Sequence, residues 1–461
     1  MHDRILKEAL KRIKPSSKDL QDELNAATRI IKQVREFKGL HVDAVLLGSA
    51  ARGTAIKGSR DLDIFVLYPE SLPEKVLEQE GLSVGMHVAK GHKWKLKYSS
   101  HPYVSIDYDG LDVEIVPAFK VASAEKIKSA VDRTPFHASF VKATLKSGQA
   151  DEVLLLKQFL KGLGIYGADI GTKGFSGYLC ELLVIKHGSF ENTLKAASSW
   201  NFGELIDLKS HAKVKHSDPL IVVDPVDSKR NVASAVSSAA MAKLIHYSRT
   251  FLKKPSIDYF FPAPSLPFKP AKVKQVLGER GTELIVLKTA FPKAAEDIAL
   301  SQLERARSKL KDLVELHDFK VHRTDIIASE ESAYLVFEFE VHQLPKYRLH
   351  LGPPLTEVEH QEAFLQKALK DKRNVWIEEG RWHSEKERAY TSAARLLEDF
   401  IEDARTGKVP FVSHVTEALK EKASFLKGES LLEEFKESKA FAQGLSDYLA
   451  KRERFLEEQR A

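Results

Sequence analysis

The chain has 461 residues, which at roughly 150 residues per domain predicts about three domains. Hydrophobic residues make up 43% and charged residues 30%, as is typical of a folded globular protein, and no stretch approaches the ~20 apolar residues that a membrane-spanning helix needs. The single cysteine, Cys180, excludes intramolecular disulfides and multi-cysteine metal sites, so we expect a reducing, cytoplasmic setting. The net charge of +6 permits a polyanionic partner without specifying one.

The first 120 residues combine helices with strands. Residues 1–40 have the apolar spacing of two helices. A strand, HVDAVLLG, then ends at Gly48-Ser49, and a short helical or turn segment, AARGTAIKGSR, leads to a second strand, LDIFVLYP. Three further strands are predicted at HKWKLKYSS, HPYVSIDYDG and LDVEIVPAF. We therefore expect residues 40–120 to form a sheet with flanking helices.

The rest of the chain is predicted to contain a mainly helical region, a linker and a region that mixes strands with helices. Residues 138–253 are predicted to be mainly helical, from runs such as DEVLLLKQFLKGLG, GFSGYLCELLVIKHG and RNVASAVSSAAMAKLIHYSRTFL. Five prolines within residues 254–270 indicate a linker. Beyond it, TELIVLK, FKVHRTDIIAS and AYLVFEFEVHQL have strand patterns, a helix lies between the first two, and a charged amphipathic helix begins near Leu431.

The segment LLGSAARGTAIKGSRDLDIFVLYPE contains residues suited to phosphate and metal chemistry. Gly48 at the strand end lets backbone amides approach a phosphate, and Arg52, one turn further on, can reach the same anion. Asp61 and Asp63 lie two residues apart on a strand, so both face the same side. The residues predicted to be buried on the opposite face are Leu62, Ile64 and Val66.

Paired carboxylates on one face predict a bound cation. Their repulsion is costly unless a cation lies between them, and Mg²⁺ prefers such hard oxygen ligands. A third carboxylate would complete a two-metal site. The later strand LDVEIVPAF supplies one with the same alternation, but Asp112 and Glu114 share a face, and alternation alone does not choose between them.

The order of these features resembles the DNA polymerase β-type nucleotidyltransferase superfamily, with its Gly-Ser and paired aspartates. Several longer segments resemble archaeal-type, class I CCA-adding enzymes. They are HPYV (101–104), SAVDRTPFH (129–137), LLKQFLKGLGIYGA (155–168), KGFSGYLCELL (173–183), VVDPVDSKRNVA (222–233) and QLERA (302–306). The resemblance covers nearly the whole chain and is strongest over residues 40–235.

The resemblance implies a multidomain α+β fold. A polymerase β-like nucleotidyltransferase palm, or head, domain maps to residues 1–137. A helical central, or neck, domain that contributes to nucleotide binding maps to residues 138–254. The Pro-rich linker occupies residues 255–270, and an α+β body and tail that bind tRNA occupy residues 271–461.

The resemblance also implies three catalytic carboxylates that bind the metals. They map to Asp61, Asp63 and Glu114, because Glu114 lies three residues before Pro117, as in the family's pattern. Family members carry Asp at this third position, so Glu114 is a departure from the pattern, and Asp112 remains the alternative.

A nucleotide pocket follows from the same resemblance. Arg230 matches the family's base-reading arginine, whose guanidinium can hydrogen-bond the incoming base or brace its phosphates. The other residues implied to bind CTP or ATP are Gly48, Ser49, Arg52, Thr134, His137, Lys157, Tyr166 and Ser176.

The implied reaction is template-independent addition of C, C and A to the tRNA 3′ end from CTP and ATP, with release of pyrophosphate. Two Mg²⁺ ions would lower the pKa of the RNA 3′-hydroxyl and stabilise the leaving group. The C-terminal half would recognise tRNA by shape, phosphates and 2′-hydroxyls, with Trp376 and Trp382 available to stack on bases. No membrane partner is expected, and a homodimer is left open.

Two other functions are compatible with parts of the pattern. The superfamily motifs alone would suit another RNA 3′-nucleotidyltransferase, such as a poly(A) polymerase, although the match over residues 129–235 argues against it. A catalytically dead RNA-binding relative is the second alternative. Such a protein would be expected to lose carboxylates, whereas Asp61, Asp63 and Glu114 are all present.

Overall fold

The structure is a computed structural model that describes residues 2–59 and 61–451. These residues form two compact units, which divide between Ala263 and Pro264. Among the described residues, no helix is both long enough and apolar enough to cross a membrane.

The first half of the N-terminal unit is a sheet with helices. Its elements in chain order are α1 (His2–Ile13), α2 (Ser17–Glu36), β1 (Asp43–Leu47), α3 (Gly48–Arg52), β2 (Asp61–Pro69), α4 (Glu74–Val88), β3 (Lys93–Tyr98), β4 (Pro102–Tyr108) and β5 (Leu111–Lys120). The strand order is β1-β2-β5-β4-β3. β2 and β5 run parallel, and the other neighbours are antiparallel. All five predicted strands are confirmed.

One face of this sheet is apolar, and α2 and α4 cover it. Leu62, Ile64 and Val66 are fully buried there, as the alternation predicts. Burial of each such side chain contributes about 1.5–3 kcal/mol. The close packing of α4 depends on small residues, because a Cβ at Gly81 would lie 2.6 Å from Pro117. The opposite face is thereby left for polar residues at one end of the sheet.

The second half of the N-terminal unit is helical around a small sheet. Its elements are α5 (Thr134–Thr144), α6 (Gln149–Gly162), α7 (Gly177–His187), α8 (Phe190–Ala197), β6 (Glu204–Asp207), β7 (Leu220–Asp224), β8 (Asp227–Asn231) and α9 (Ser238–Lys253). Short 3₁₀ helices span Ala124–Lys126, Ala130–Arg133 and Ile257–Tyr259. The helices predicted at α6 and α7 are confirmed, and α9 confirms the later part of the third predicted run.

The prediction that the helical run begins at Arg230 is wrong. Residues 204–231 instead contain the three-stranded sheet β6-β7-β8. The β-branched run in β7 favours a strand, and the amide of Asn231 holds the turn, accepting from Val222 N at 2.8 Å and donating to Leu220 O at 2.9 Å. The helix α9 begins only after Ser237, whose side chain caps it.

The C-terminal unit contains two sheets. Its elements are α10 (Pro270–Arg280), β9 (Glu283–Ala290), α11 (Glu296–Leu316), β10 (Lys320–Ala328), β11 (Ser332–Val341), β12 (Tyr347–Pro354), α12 (Val358–Lys370), β13 (Val375–Glu378), β14 (Arg381–Glu387), α13 (Ala393–Arg405), α14 (Ser413–Glu421), β15 (Ala423–Leu426), α15 (Gly428–Glu437) and α16 (Lys439–Leu449). One sheet has the order β10-β11-β9-β15 and the other β12-β14-β13.

The three predicted strands of this unit and the helix between the first two are confirmed. The four-stranded sheet is buried on both faces, with one apolar cluster around α11 and α13 and another around α15 and α16. The single helix predicted from Leu431 is two helices, α15 and α16, which meet at Ser438. The part of that prediction beyond residue 451 lies outside the described residues.

Candidate active site

Four carboxylates meet on one face of the first sheet. Parallel pairing of β2 with β5 places Asp61 beside Asp112 and Asp63 beside Glu114. Residues paired across a ladder project to the same side, so the four side chains share the face that α2 and α4 leave uncovered. We call this group the carboxylate cluster (Asp61, Asp63, Asp112 and Glu114).

Burial and mutual repulsion raise the pKa values of the two aspartates on β2. Burial is the largest cause for Asp63, and repulsion from Glu114 and Asp61 adds to it, so that the pKa rises to about 6. Burial likewise raises the pKa of Asp61, followed by repulsion from Asp112. The positive charge of Arg52 acts in the opposite direction on Asp63. The cluster therefore has an excess of negative charge, as expected of a cation site.

A lysine and a tyrosine contact the β5 side of the cluster. Nζ of Lys97 lies 2.7 Å from Oε1 of Glu114 and 3.6 Å from Oδ2 of Asp112. The hydroxyl of Tyr103 donates to Oε1 of Glu114 at 3.4 Å. Burial alone would lower the pKa of Lys97, but the hydrogen bonds and charges of Glu114 and Asp112 together outweigh burial and raise that pKa. Sequence reasoning missed both residues, and the alternating lysines of HKWKLKYSS were the available signal.

Gly48 allows the backbone to pass directly beside the cluster. Its φ of +70° lies in the left-handed region, and a Cβ at this position would lie 1.6 Å from Oδ2 of Asp63. Only glycine satisfies both conditions. The chain then enters α3, which places Ser49 and Arg52 next to the end of β1. The structure thus brings Gly48, Ser49 and Arg52 to the carboxylate cluster.

A buried carboxylate holds Arg52 in place. Nε of Arg52 donates to Oε1 of Glu181 on α7 at 2.9 Å, and the side chain of Glu181 is fully buried. The hydroxyl of Thr54 donates to the same oxygen at 2.5 Å. Sequence reasoning missed Glu181, although a glutamate within the apolar run GYLCELLVIKH was a usable signal, because buried charges require partners.

Lys157 and Tyr166 lie next to this network. Nζ of Lys157 donates to the Thr54 carbonyl at 2.7 Å, and burial lowers the pKa of this lysine. The Tyr166 hydroxyl and the Lys157 ammonium point toward the start of α7, where a Cβ at Gly177 would lie 3.2 and 3.4 Å from them. Burial is the main cause that raises the pKa of Tyr166, and the charge of Asp61 contributes. Tyr166 therefore lies within electrostatic range of Asp61 in the carboxylate cluster, whereas Lys157 interacts with Glu181 and Thr54.

His137 and Arg230 form a second group around Asp224. Nε2 of His137 and Nη1 of Arg230 each lie 2.8 Å from Oδ2 of Asp224, whose side chain is fully buried. The Tyr178 hydroxyl donates to the other oxygen at 3.3 Å, and its ring stacks on His137 with centroids 4.1 Å apart. Burial opposes ionisation of Asp224, but the hydrogen bond from His137 helps to keep its pKa below the usual value. Asp224 and Tyr178 were both missed from sequence.

The two remaining residues predicted to bind nucleotide, Thr134 and Ser176, lie at the beginnings of helices. Thr134 is the first residue of α5 and is half-buried. The hydroxyl of Ser176 accepts from Leu179 N at 3.2 Å and so caps α7. That bond gives Ser176 a capping role that does not require a nucleotide.

The donor chemistry of the carboxylate cluster fits a hard divalent cation. It offers only carboxylate oxygens from the protein, which is the donor type that Mg²⁺ accepts, and part of its coordination would remain for water and phosphate oxygens. Burial and, after it, mutual repulsion raise the pKa values of Asp61 and Asp63, and such an ion would offset both effects. The cluster could therefore hold metal.

Comparisons with known proteins identify the family of the chain. Family models match a nucleotidyltransferase domain over residues 27–137, the second domain of tRNA nucleotidyltransferase over 151–261 and the C-terminal domain of CCA-adding enzyme over 280–428. The CCA-adding enzyme of Methanosarcina barkeri is 40% identical over 408 residues, which are 87% of this chain and 89% of the relative. The chain belongs to the CCA-adding enzyme family.

Two further family members have similar coverage. The CCA-adding enzyme of Methanocaldococcus jannaschii is 40% identical over 86% of this chain and 90% of its own length. That of Archaeoglobus fulgidus is 35% identical over 93% of this chain and 96% of its own length. The resemblance that the sequence motifs indicated is confirmed, as is the multidomain α+β class, and a nucleotidyltransferase domain implies use of a divalent metal.

Two substitutions will show whether Glu114 or Asp112 acts as the third carboxylate of the site. We expect Glu114→Gln to lower kcat for nucleotide addition by about 10²–10³-fold, the cost of removing one electrostatic group from an active site. Asp112→Asn should cost less than about tenfold, because that side chain is 47% exposed against 24% for Glu114. Steady-state incorporation of labelled nucleotide measures both. The opposite ranking would assign the role to Asp112.

Metal binding should weaken as the pH falls through about 6. A metal ligand must be ionised, and Asp63 holds its proton up to a pKa of about 6 in the metal-free protein. Protonation of Asp63 has the opposite effect on folding. The pKa of Asp63 is higher in the folded protein than in the unfolded chain, so the folded state binds the proton more tightly. The metal-free protein therefore gains stability as the pH drops from about 6 toward 3.8. Calorimetric Mg²⁺ titrations between pH 5 and 8 test the first expectation, and urea unfolding with chelator tests the second. Both dependences should be weaker in Asp63→Asn, and the part that remains would come from Asp61, whose pKa is also raised.

Proposed function

We propose that this chain adds C, C and A in turn to the 3′ end of tRNA, using CTP and ATP and releasing pyrophosphate. The observation that supports it best is the carboxylate cluster, whose members lie beside the glycine and arginine of the segment Gly48–Arg52. A site that combines grouped carboxylates with phosphate-binding groups suits nucleotidyl transfer, because that reaction depends on positioning and charge stabilisation.

Asp61, Asp63 and Glu114 are proposed to hold two Mg²⁺ ions. When bound, such ions lower the pKa of the attacking 3′-hydroxyl and offset negative charge at the α-phosphate and on pyrophosphate. The protein's own contribution is to fix the three carboxylates on adjacent strands, so that little reorganisation is needed during the reaction.

The triphosphate is proposed to bind between α3 and the start of α7. Glu181 fixes the orientation of Arg52 through Nε, and the two terminal nitrogens of the guanidinium are a separate pair of donors for phosphate oxygens. The lowered pKa of buried Lys157 indicates an ammonium that lacks sufficient negative charge around it, which a phosphate would supply. Ser49 and Tyr166 add hydroxyl donors on either side.

The incoming base is proposed to be read at the Asp224 cluster. Asp224 holds the guanidinium of Arg230 through one nitrogen and positions His137, whose ring is stacked on Tyr178. Fixed donors of this kind discriminate bases because a mismatched base leaves buried polar groups unpaired. In the C-terminal unit, Trp376 and Trp382 bond their indole nitrogens to Glu378 and Gln361, at 3.1 Å each, and leave half-buried rings for RNA.

Incorporation of labelled nucleotides into tRNA that lacks its 3′ end will test the function. CTP alone, ATP alone and both together are offered with Mg²⁺, and GTP and UTP serve as controls. Addition of two C and then one A, with GTP and UTP refused, is expected. Unlimited A addition would identify a poly(A) polymerase, and no incorporation by a folded protein that binds tRNA would identify a binding protein. Sedimentation of the same sample tests whether the chain is a homodimer.

A further inference from the structure

A second group of potential metal ligands lies away from the carboxylate cluster. Glu74 and Glu78 are one turn apart at the start of α4, and His101 immediately precedes β4. One ligand atom from each of the three residues lies within 4.8 Å of the other two. This group lies roughly 13 Å along β4 from Ser105, the partner of Glu114, at about 3.3 Å per strand residue.

His101 is buried without a hydrogen-bond partner. Its side chain is 1% exposed, and neither ring nitrogen makes a hydrogen bond within the described part of the chain. Its Nδ1 points between the two carboxylates, at 3.6 Å from Oε1 of Glu74 and 3.6 Å from Oε1 of Glu78. Buried imidazole nitrogens without partners are unfavourable, so this arrangement needs an occupant that the side chains do not supply.

The two separations from His101 match those around one small cation. Two ligands about 2.1 Å from a tetrahedral zinc ion are themselves roughly 3.4 Å apart, and Nδ1 of His101 lies 3.6 Å from each glutamate oxygen. The two glutamate oxygens lie within 4.8 Å of each other. The separation of 3.6 Å from His101 exceeds a normal hydrogen bond, which for N–H···O has its mode near about 2.9–3.0 Å. A single ion between the three residues would give Nδ1 of His101 a partner and bring both carboxylates into use.

We propose that Glu74, Glu78 and His101 form a zinc-type metal site, separate from the catalytic carboxylates. One imidazole with two carboxylates favours Zn²⁺ or a similar transition metal over Mg²⁺, which prefers oxygen ligands alone. A water molecule would complete the fourth position, since Glu74 is 67% exposed and the site opens to solvent on that side.

The site would tie α4 to the β3–β4 turn. Glu74 and Glu78 are on the helix that covers the apolar face of the sheet, and His101 ends the turn, where its carbonyl accepts from Ser99 N at 3.2 Å. The strands on either side of that turn carry Lys97 and Tyr103, which contact Glu114. A bound ion would therefore stabilise the hairpin that packs against the catalytic carboxylates, and its main effect would be on stability.

Zinc titration of the full-length, chelator-treated protein will test the site. Wild type, the double variant Glu74→Gln/Glu78→Gln and His101→Gln are compared by calorimetry. Because the carboxylate cluster is also proposed to bind cations, the diagnostic result is a difference in stoichiometry or affinity between wild type and the variants. We expect both altered proteins to bind one Zn²⁺ fewer, or to bind it with affinity reduced by more than about tenfold, the lower end of what changes behind the ligands already cost. Zn²⁺ should raise the Tm of wild type more than that of either variant.

Two controls separate this site from general effects of charge and histidine loss. Glu36→Gln removes an exposed carboxylate paired with Lys32 at the end of α2, and His87→Gln removes a histidine of α4 that packs against Phe37. Both should bind Zn²⁺ as wild type does. The double variant changes only exposed or partly exposed glutamates, so it keeps the test valid if His101→Gln does not fold. Equal stoichiometry and affinity in wild type and the double variant would overturn the proposal and leave His101 as the partner of an ion pair.

Discussion

Replacing Asp61 with Asn is expected to lower nucleotide addition by at least about 10³-fold while leaving tRNA binding nearly unchanged. The substitution keeps the size of the side chain and removes one charge from the carboxylate cluster. Removing one preorganised electrostatic group typically costs about 10²–10³ in kcat, and loss of a proposed metal ligand adds to that cost. Single-turnover incorporation of CTP, measured beside filter binding of tRNA, separates catalysis from binding.

The same substitution should stabilise the metal-free protein. Repulsion from Asp61 is one of the causes that raise the pKa of Asp63, and Asn at position 61 removes it. A decrease in activity together with an increase in Tm would be difficult to attribute to misfolding. Asp43→Asn is the matched control, because Asp43 lies at the opposite end of the neighbouring strand β1 and pairs with Arg35. Full activity of Asp61→Asn would contradict the metal assignment.

The carboxylate cluster illustrates how far the sequence allows prediction. Period-two alternation placed Asp61 and Asp63 on one face and buried Ile64 on the other, because that rule depends only on local backbone geometry. It did not choose between Asp112 and Glu114. The structure shows why: both lie on the shared face, each opposite one aspartate of β2, and Lys97 contacts both. The two side chains differ in solvent exposure, and alternation along one strand does not determine exposure because it depends on the whole fold.

Residues that hold other side chains in place were the main omission. Glu181 lies 129 positions from Arg52, and Asp224 lies 87 positions from His137. Both lie within segments that resemble the family, but the resemblance assigned neither a role, since one is a single glutamate in an apolar helix and the other ends a buried strand. Their roles follow from the general rule that a buried carboxylate needs cationic or hydrogen-bonding partners, but the rule identifies those partners only after the chain has folded.

These two carboxylates have a common consequence for the site. Glu181 and Asp224 are both fully buried, and each binds an arginine that the family resemblance assigned to the nucleotide, Arg52 and Arg230. An arginine with one side already bonded loses less rotamer entropy when it binds a ligand. The structure therefore supports a pocket whose cationic groups are oriented before nucleotide arrives.

Replacing Gly48 with Ala is expected to abolish activity nearly as completely as loss of a carboxylate. The new Cβ would lie 1.6 Å from Oδ2 of Asp63, so either Asp63 or the start of α3 must move. Displacing Asp63 by about 1 Å would itself cost roughly 10²-fold in rate. The left-handed φ of +70° adds backbone strain of roughly 1–2 kcal/mol for any residue other than glycine.

Gly53→Ala separates the steric clash from the backbone strain. Gly53 ends α3 with a φ of +67°, almost the same as that of Gly48, but its Cβ would meet nothing within 4 Å. Both alanine variants should therefore lose stability from strain, measured by urea unfolding, and Gly48→Ala should lose more because of its clash with Asp63. Only Gly48→Ala should also lose metal affinity and kcat. If Gly53→Ala were as inactive as Gly48→Ala, the loss of activity would come from the strained backbone around α3 and not from displacement of Asp63. Because the strain is matched, a difference in kcat between the two variants reports the contact between Gly48 and Asp63 alone.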